Sequence, residues 1–170
     1  MIASQTVRLL AFQIGPARAA LPLSTVREVL EEPTITSVPG SYDHVAGIIL
    51  SRSVAVPVYD LLRFEPAWSE PRAAADDGGG SRAQVIVCGM GEALIGLLVK
   101  DADLVSPDAQ PREAPHDGSI RAEFVGGLLG TEAGGVSILI PEKLFLSLGV
   151  PATGQGSAME DGREKDPAGR

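Results

Sequence analysis

Cysteine, histidine, basic charge, aromatic rings and long apolar runs are all scarce in this chain, and each scarcity closes off a class of protein. The single cysteine, Cys88, cannot form an internal disulfide, so the chain is not a small cross-linked secreted scaffold. His44 and His116 are the two imidazoles, and with one thiol they offer no metal-ligand spacing. Lys and Arg number 14 against 22 Asp and Glu, a formal net charge of −8, and no segment gathers the basic patch that nucleic acid or an anionic membrane demands. Apolar runs end at Gly, Pro or a charge within about ten residues, well short of the ~18 that a membrane span needs. The opening MIASQTVRLL lacks the basic head and long apolar core of a signal peptide. These features predict a soluble, cytoplasmic protein.

What is present points to β structure. The 170 residues are 44% hydrophobic, ample for a packed core, yet only 4% aromatic, so that core is built from Val, Leu, Ile and Ala. Gly 20 and Pro 13 imply many turns. Strands are predicted over 7–14, 19–23, 26–30, 46–50 and 54–59 and, beyond a break, over 84–88, 93–99, 101–105, 124–129 and 136–140, from short apolar or alternating runs bounded by turn residues, while 35–38 leads through a loop into the second apolar stretch. Ser24 is expected to cap one helical turn, and Val26 and Glu28, two apart on an alternating strand, are expected to share a face. Pro141 starts a helix over 141–148, with Leu144, Phe145 and Leu148 on one side and Gly149 as its stop.

The densest strand-like stretch, VAGIILSRSVAVPVYDLL from Val45 to Leu62, carries one unexpected charge, Arg52, at the break between its two apolar runs. Residues 65–82 (EPAWSEPRAAADDGGGSR) lose all periodicity and read as a linker, in which Trp68 is the lone large apolar residue. The order of elements repeats weakly on either side: strand, glycine turn, strand, then VREVL or ADLV, then VAGIIL or FVGGLL. This predicts one unit over 6–149, with a first barrel at 7–64 and a second at 83–140, neither large enough to stand alone. Residues 150–170 read as a disordered tail. Catalytic chemistry is not legible: there is no nucleophile elbow, and GMGEALIG at 89–96 joins two strands, so its glycines serve a hairpin rather than a phosphate loop.

An ordered series of short matches resembles the CheW-like family of bacterial chemotaxis adaptor domains. It runs through Phe12-Gln13-Ile14-Gly15, Ala20-Leu21-Pro22-Leu23, Val26-Arg27-Glu28-Val29, Pro39, His44-Val45-Ala46-Gly47, Arg52 and Val56-Pro57-Val58-Tyr59-Asp60-Leu61. The second half adds Val85-Ile86-Val87, Ile95-Gly96-Leu97-Leu98-Val99 and Glu142-Lys143-Leu144. The resemblance implies an all-β fold of two five-stranded SH3-like barrels sharing a core, with a short C-terminal helix. It implies no enzyme activity, no cofactor and no metal, and an adaptor that links the cytoplasmic tip of a methyl-accepting chemoreceptor to the regulatory domain of a CheA-like histidine kinase. The family's receptor-facing groove falls on Val26, Glu28, Gly47, Arg52, Ala102 and Val105. The chain departs from the family's Gly-x-x-Asn-Leu-Arg-Gly at Leu50, Ser51 and Ser53, and carries Lys100 where an Asp is usual. Ser53 in place of glycine disfavours a positive-φ turn, and Leu50 in place of asparagine removes a polar group from the corner. The departures suit a specialised array, such as one for gliding or pilus-driven motility. They also leave open a cap or decoy that keeps one binding surface, and a small-molecule sensor using the groove between barrels.

Overall fold

The computed structural model describes residues 8–65, 82–105, 111–112, 120–131 and 134–150. The linker with Trp68, the loop with His116 and the tail beyond Val150 lie outside the described residues. Among the described residues, ten strands and two short helices follow one another: β1 (Leu9–Ile14), β2 (Ala17–Pro22), β3 (Val26–Glu31), β4 (Val45–Ser51), β5 (Val54–Asp60), α1 (Leu61–Phe64), β6 (Ala83–Met90), β7 (Ala93–Leu104), β8 (Pro111–Arg112), β9 (Val125–Thr131), β10 (Gly134–Leu139) and α2 (Pro141–Ser147). The fold is all-β, as the composition demands.

Local turn chemistry explains the hairpins. Gly15 at φ 53 and Pro16 join β1 to β2, and Gly91 at φ 60 with Glu92 joins β6 to β7, with Met90 opposite Ala93. GMGEALIG is therefore the hairpin turn its glycines predict. Helix α2 begins at Pro141, buries Leu144 and Phe145, and ends where the Val150 amide donates to the Phe145 carbonyl at 2.9 Å and Gly149 takes φ 82.

Strand pairing does not follow the two halves of the chain. β3 pairs with β6, β6 with β7, β7 with β5 in parallel, and β5 with β4; a Thr36–Ile48 bridge then returns to the chain just beyond β3. That ring draws strands from both sides of the linker. The remaining strands run from the end of β7 through β1, β2, β10 and β9 to β8, with β2 and β10 parallel. The expectation of one barrel over 7–64 and another over 83–140 is thus corrected: β1 and β2 associate with the C-terminal strands, β6 and β7 with β3 to β5.

Period-two alternation then builds three cores. Ile49, Val56, Val58, Val85 and Val87 fill the first ring, while Leu9, Ala11, Ala20, Leu129 and Val136 fill the second group. The opposite faces of the same strands, with Leu10, Phe12, Ile14, Leu21, Ile86, Cys88, Ile95, Leu97 and Val99, meet Phe124, Leu144, Phe145 and Leu148 in a larger core between them. β1 and β6 are buried on both faces because each faces two cores.

Three smaller expectations are corrected. The predicted strands 93–99 and 101–105 are one strand, β7, because the irregularity at Asp101 (φ 48) is a bulge that bends the strand without ending it. The turn near Ser24 is a 3-10 turn, Leu23–Thr25, with no side-chain cap at its start; Thr25 Oγ1 donates to the Pro22 carbonyl at 2.7 Å instead. Val150 is buried in the shared core rather than beginning the tail.

Cys88 is fully buried in that core, and desolvation pushes its thiol from 9.0 up to about 12. Its folded pKa lies above the unfolded value, so its contribution is complete below pH 9 and is lost as pH rises toward 12. Urea unfolding at pH 10 should show roughly 1 kcal/mol less stability than at pH 7, and Cys88→Ser or Cys88→Ala should remove this part of the alkaline slope. Tyr59, raised by desolvation above its ordinary 10.0, adds a slope of the same sign at higher pH. A slope unchanged in both Cys88 variants would show that the thiol is not its source.

Candidate functional site

Arg52 and Ser53 form the two-residue turn between β4 and β5, with Ser51 opposite Val54 and both turn residues in the left-handed region at φ 46 and 69. That is the geometry whose twist suits a tight hairpin, and it ordinarily selects Asn and Gly. The turn the glycine-less sequence was expected to disfavour is kept. Left-handed backbone costs a non-glycine residue roughly 1 kcal/mol, so something must hold it.

The holding group is Glu28. Its Oε1 accepts a hydrogen bond from Ser51 Oγ, and its Oε2 lies 3.6 Å from Arg52 Nε. Ser51 follows Gly47 and Ile49 on the inward side of β4 and is buried, so its hydroxyl needs a partner, and a carboxylate on β3 supplies it. The Arg52 side chain is 81% exposed against 22% for Glu28. Glu28 thus fixes the turn from below and leaves most of the guanidinium available to a partner.

The other expected site residues are placed differently. A register irregularity between Val26 and Glu28 changes the parity of β3: Val26 and Val29 pack against the shared core, Leu30 against the first ring's core, and Glu28 reaches the turn. The expectation that Val26 and Glu28 share a face is corrected by that bulge. Gly47, φ 146, lies where a Cβ would stand 2.3 Å from the Thr36 carbonyl oxygen. Ala102 packs against the shared core, and its amide donates to Gln84 Oε1 at 2.7 Å; Val105 packs against the second group's core, its amide donating to the Leu9 carbonyl at 3.0 Å. Of the six, Glu28 and Arg52 are joined directly, and no hydrogen bond or ion pair links either to Ala102 or Val105. Lys100 is exposed, opposite Gln13 and Ala83. Ser51 was missed by sequence reasoning; its inward parity with Ile49 was the available signal.

No group of three or more His, Cys, Asp or Glu that could hold a metal occurs among the described residues. No helix among them is long and apolar enough to cross a membrane. What the molecule offers is surface: a braced arginine turn, an apolar outer hairpin face with Leu50 74% exposed, and a row of aromatic rings at the hairpin's other end. This is the anatomy of an all-β domain whose distinctive features lie on its surface.

Comparison with known proteins agrees. The family model for the CheW-like domain matches residues 8–148, and the chain belongs to that family. Its fold is similar to the scaffolding protein TtCheW from Thermoanaerobacter tengcongensis, with a TM-score of 0.60 and 22% identity over 82% of this chain and 87% of that one. No curated protein matches the chain. Membership makes it a non-catalytic scaffold of chemotaxis signal transduction.

Proposed function

We propose that the chain acts in the cytoplasm as an adaptor that couples the cytoplasmic tip of a chemoreceptor to the regulatory domain of a histidine kinase. In this reading Arg52 is the anchor of a receptor-facing surface to which Val26, Glu28, Gly47, Ala102 and Val105 also belong. The observation that carries it is the Arg52–Ser53 turn: two left-handed non-glycine residues held by Glu28 so that an arginine stands exposed. Local strain that the surroundings hold in place is characteristic of binding sites.

Arg52→Glu tests the reading. An exposed arginine that only decorates a turn costs within about ±0.5 kcal/mol when replaced, whereas an interface anchor loses roughly 1 to 3 kcal/mol of binding. Titration against a receptor-tip fragment should therefore show affinity reduced by about tenfold or more, with kinase-domain affinity much less affected. The glutamate also faces Glu28, so a melting curve must accompany the titration, and Arg52→Ala serves as the neutral companion. Receptor binding at wild-type strength in both variants would remove Arg52 from the interface.

A further inference from the structure

Five rings form a ladder at the end of the β4–β5 hairpin opposite Arg52. Tyr42 stacks on His44 at 5.6 Å and 11°, and His44 stacks on Tyr59 at 6.0 Å and 19°. The His44 ring also meets Phe64 edge-on at 5.5 Å, and Phe64 lies 6.2 Å from Phe124. Both tyrosines and two of the four phenylalanines of an aromatic-poor chain belong to this one row. It runs from the buried Phe124 to Tyr42, which is 78% exposed.

The exposed end is held in place. The Ser41 amide and hydroxyl both donate to the Val38 carbonyl, at 3.3 and 2.8 Å. The Val45 amide donates to the Tyr42 carbonyl at 2.9 Å and the Asp60 amide to the His44 carbonyl at 2.8 Å. One face of the Tyr42 ring rests on His44 and the other is open. A preorganised aromatic ring in water is the kind of residue that dominates protein interfaces.

The charges beside the ladder indicate what would cover it. Asp60 caps α1 and lies 3.3 Å from Arg63, and Glu65 and Glu123 both pair with Arg121. Asp43, exposed between Tyr42 and His44, is in no hydrogen bond or ion pair among the described residues. An open π-face beside an unpaired carboxylate is complementary to a guanidinium, which can stack on the ring while the carboxylate meets its charge. An adaptor that holds two proteins at once needs separate surfaces, and β4 sets this end ~20 Å from the Arg52 turn. We propose that Tyr42 and Asp43 seat an arginine of the kinase regulatory domain, an inference that rests on the adaptor reading.

The test titrates the wild type, Tyr42→Ala, Tyr42→Phe and Asp43→Arg against the purified kinase regulatory domain and, separately, the receptor-tip fragment, with a melting curve for each. Kinase-domain affinity should fall about tenfold or more in Tyr42→Ala and further in Asp43→Arg, while Tyr42→Phe, which keeps the ring, stays near wild type. Receptor affinity and melting temperature should be unchanged in all three. Kinase binding at wild-type strength in Tyr42→Ala, or insensitive to Asp43→Arg, overturns the arginine seat while leaving the adaptor reading intact. A wild-type chain that binds neither protein overturns the adaptor reading and this inference with it.

Discussion

Phe12→Ala should destabilise the protein by about 3 to 5 kcal/mol, the cost of removing a fully buried phenylalanine from a packed core. For a chain of this size that corresponds to a fall in melting temperature on the order of 10 °C. Phe12 has no exposed surface and lies on the face of β1 that enters the shared core, opposite Ala19 of β2. Ala19 is too small to fill the void, and the surrounding residues are held by strands buried on two sides. That core takes side chains from both groups of strands, so its loss should move one cooperative transition rather than split it. Thermal and urea unfolding followed by circular dichroism check this, with Leu50→Ala on the exposed hairpin face as a control that should stay within about ±0.5 kcal/mol. Two separate transitions, or a fall of only a few degrees, would show that the shared core does not tie the molecule together.

Gly47→Ala should be comparably damaging, by roughly 3 kcal/mol or more, from two costs at one position. The backbone at φ 146 is in a region that residues with a Cβ rarely enter, which costs about 1 to 3 kcal/mol. The added methyl would also stand 2.3 Å from the Thr36 carbonyl oxygen and 2.9 Å from Ile35 Cγ2. A carbonyl cannot rotate away as a flexible side chain can, and the Thr36 amide and carbonyl both bond to Ile48 at 2.8 Å, in the bridge that completes the first ring. Relieving the clash therefore means breaking that bridge, another 1 to 3 kcal/mol by the usual cost of overpacking, of order. The prediction distinguishes two roles for Gly47. A glycine needed mainly by a partner would leave the melting temperature unchanged in Gly47→Ala and weaken receptor binding alone. A glycine needed by the fold, as the packing against Thr36 implies, would lower the melting temperature first.

Arg52 shows how much of a site can be read from residues in order. A charge between two apolar strands is conspicuous by type, and the resemblance to CheW-like domains places it in a groove. Its partners are not visible in this way: Ser51 and Glu28 are separated by 23 positions, and their hydrogen bond depends on β3 lying within reach of the hairpin turn. The left-handed turn was equally hidden, because residue type argued against it and the compensating carboxylate comes from another strand. Tyr42, His44 and Tyr59 look like isolated aromatics along the chain and become one ladder only when the beginning of β4 meets the end of β5.

By itself the sequence determined what depends on near neighbours. Period-two alternation and Gly, Pro and Asp turns set the all-β class, the β1–β2 and β6–β7 hairpins and the pair of apolar runs around Arg52, while the Pro141 start and Gly149 stop set α2. Each of these follows from steric and hydrogen-bonding preferences within a few residues. Tertiary structure alone decided which strands became partners, sending β6 to β3 and β10 to β2 across the apparent halves, since Val-, Ile- and Leu-rich strands present nearly interchangeable edges to one another. It also decided parity. One extra residue at the bulge in β3 sends Val26 to the shared core and Glu28 to the turn, because whether a strand carries an extra residue is set by its neighbour's hydrogen bonds and the cores it must fill, not by the identity of the residues in it.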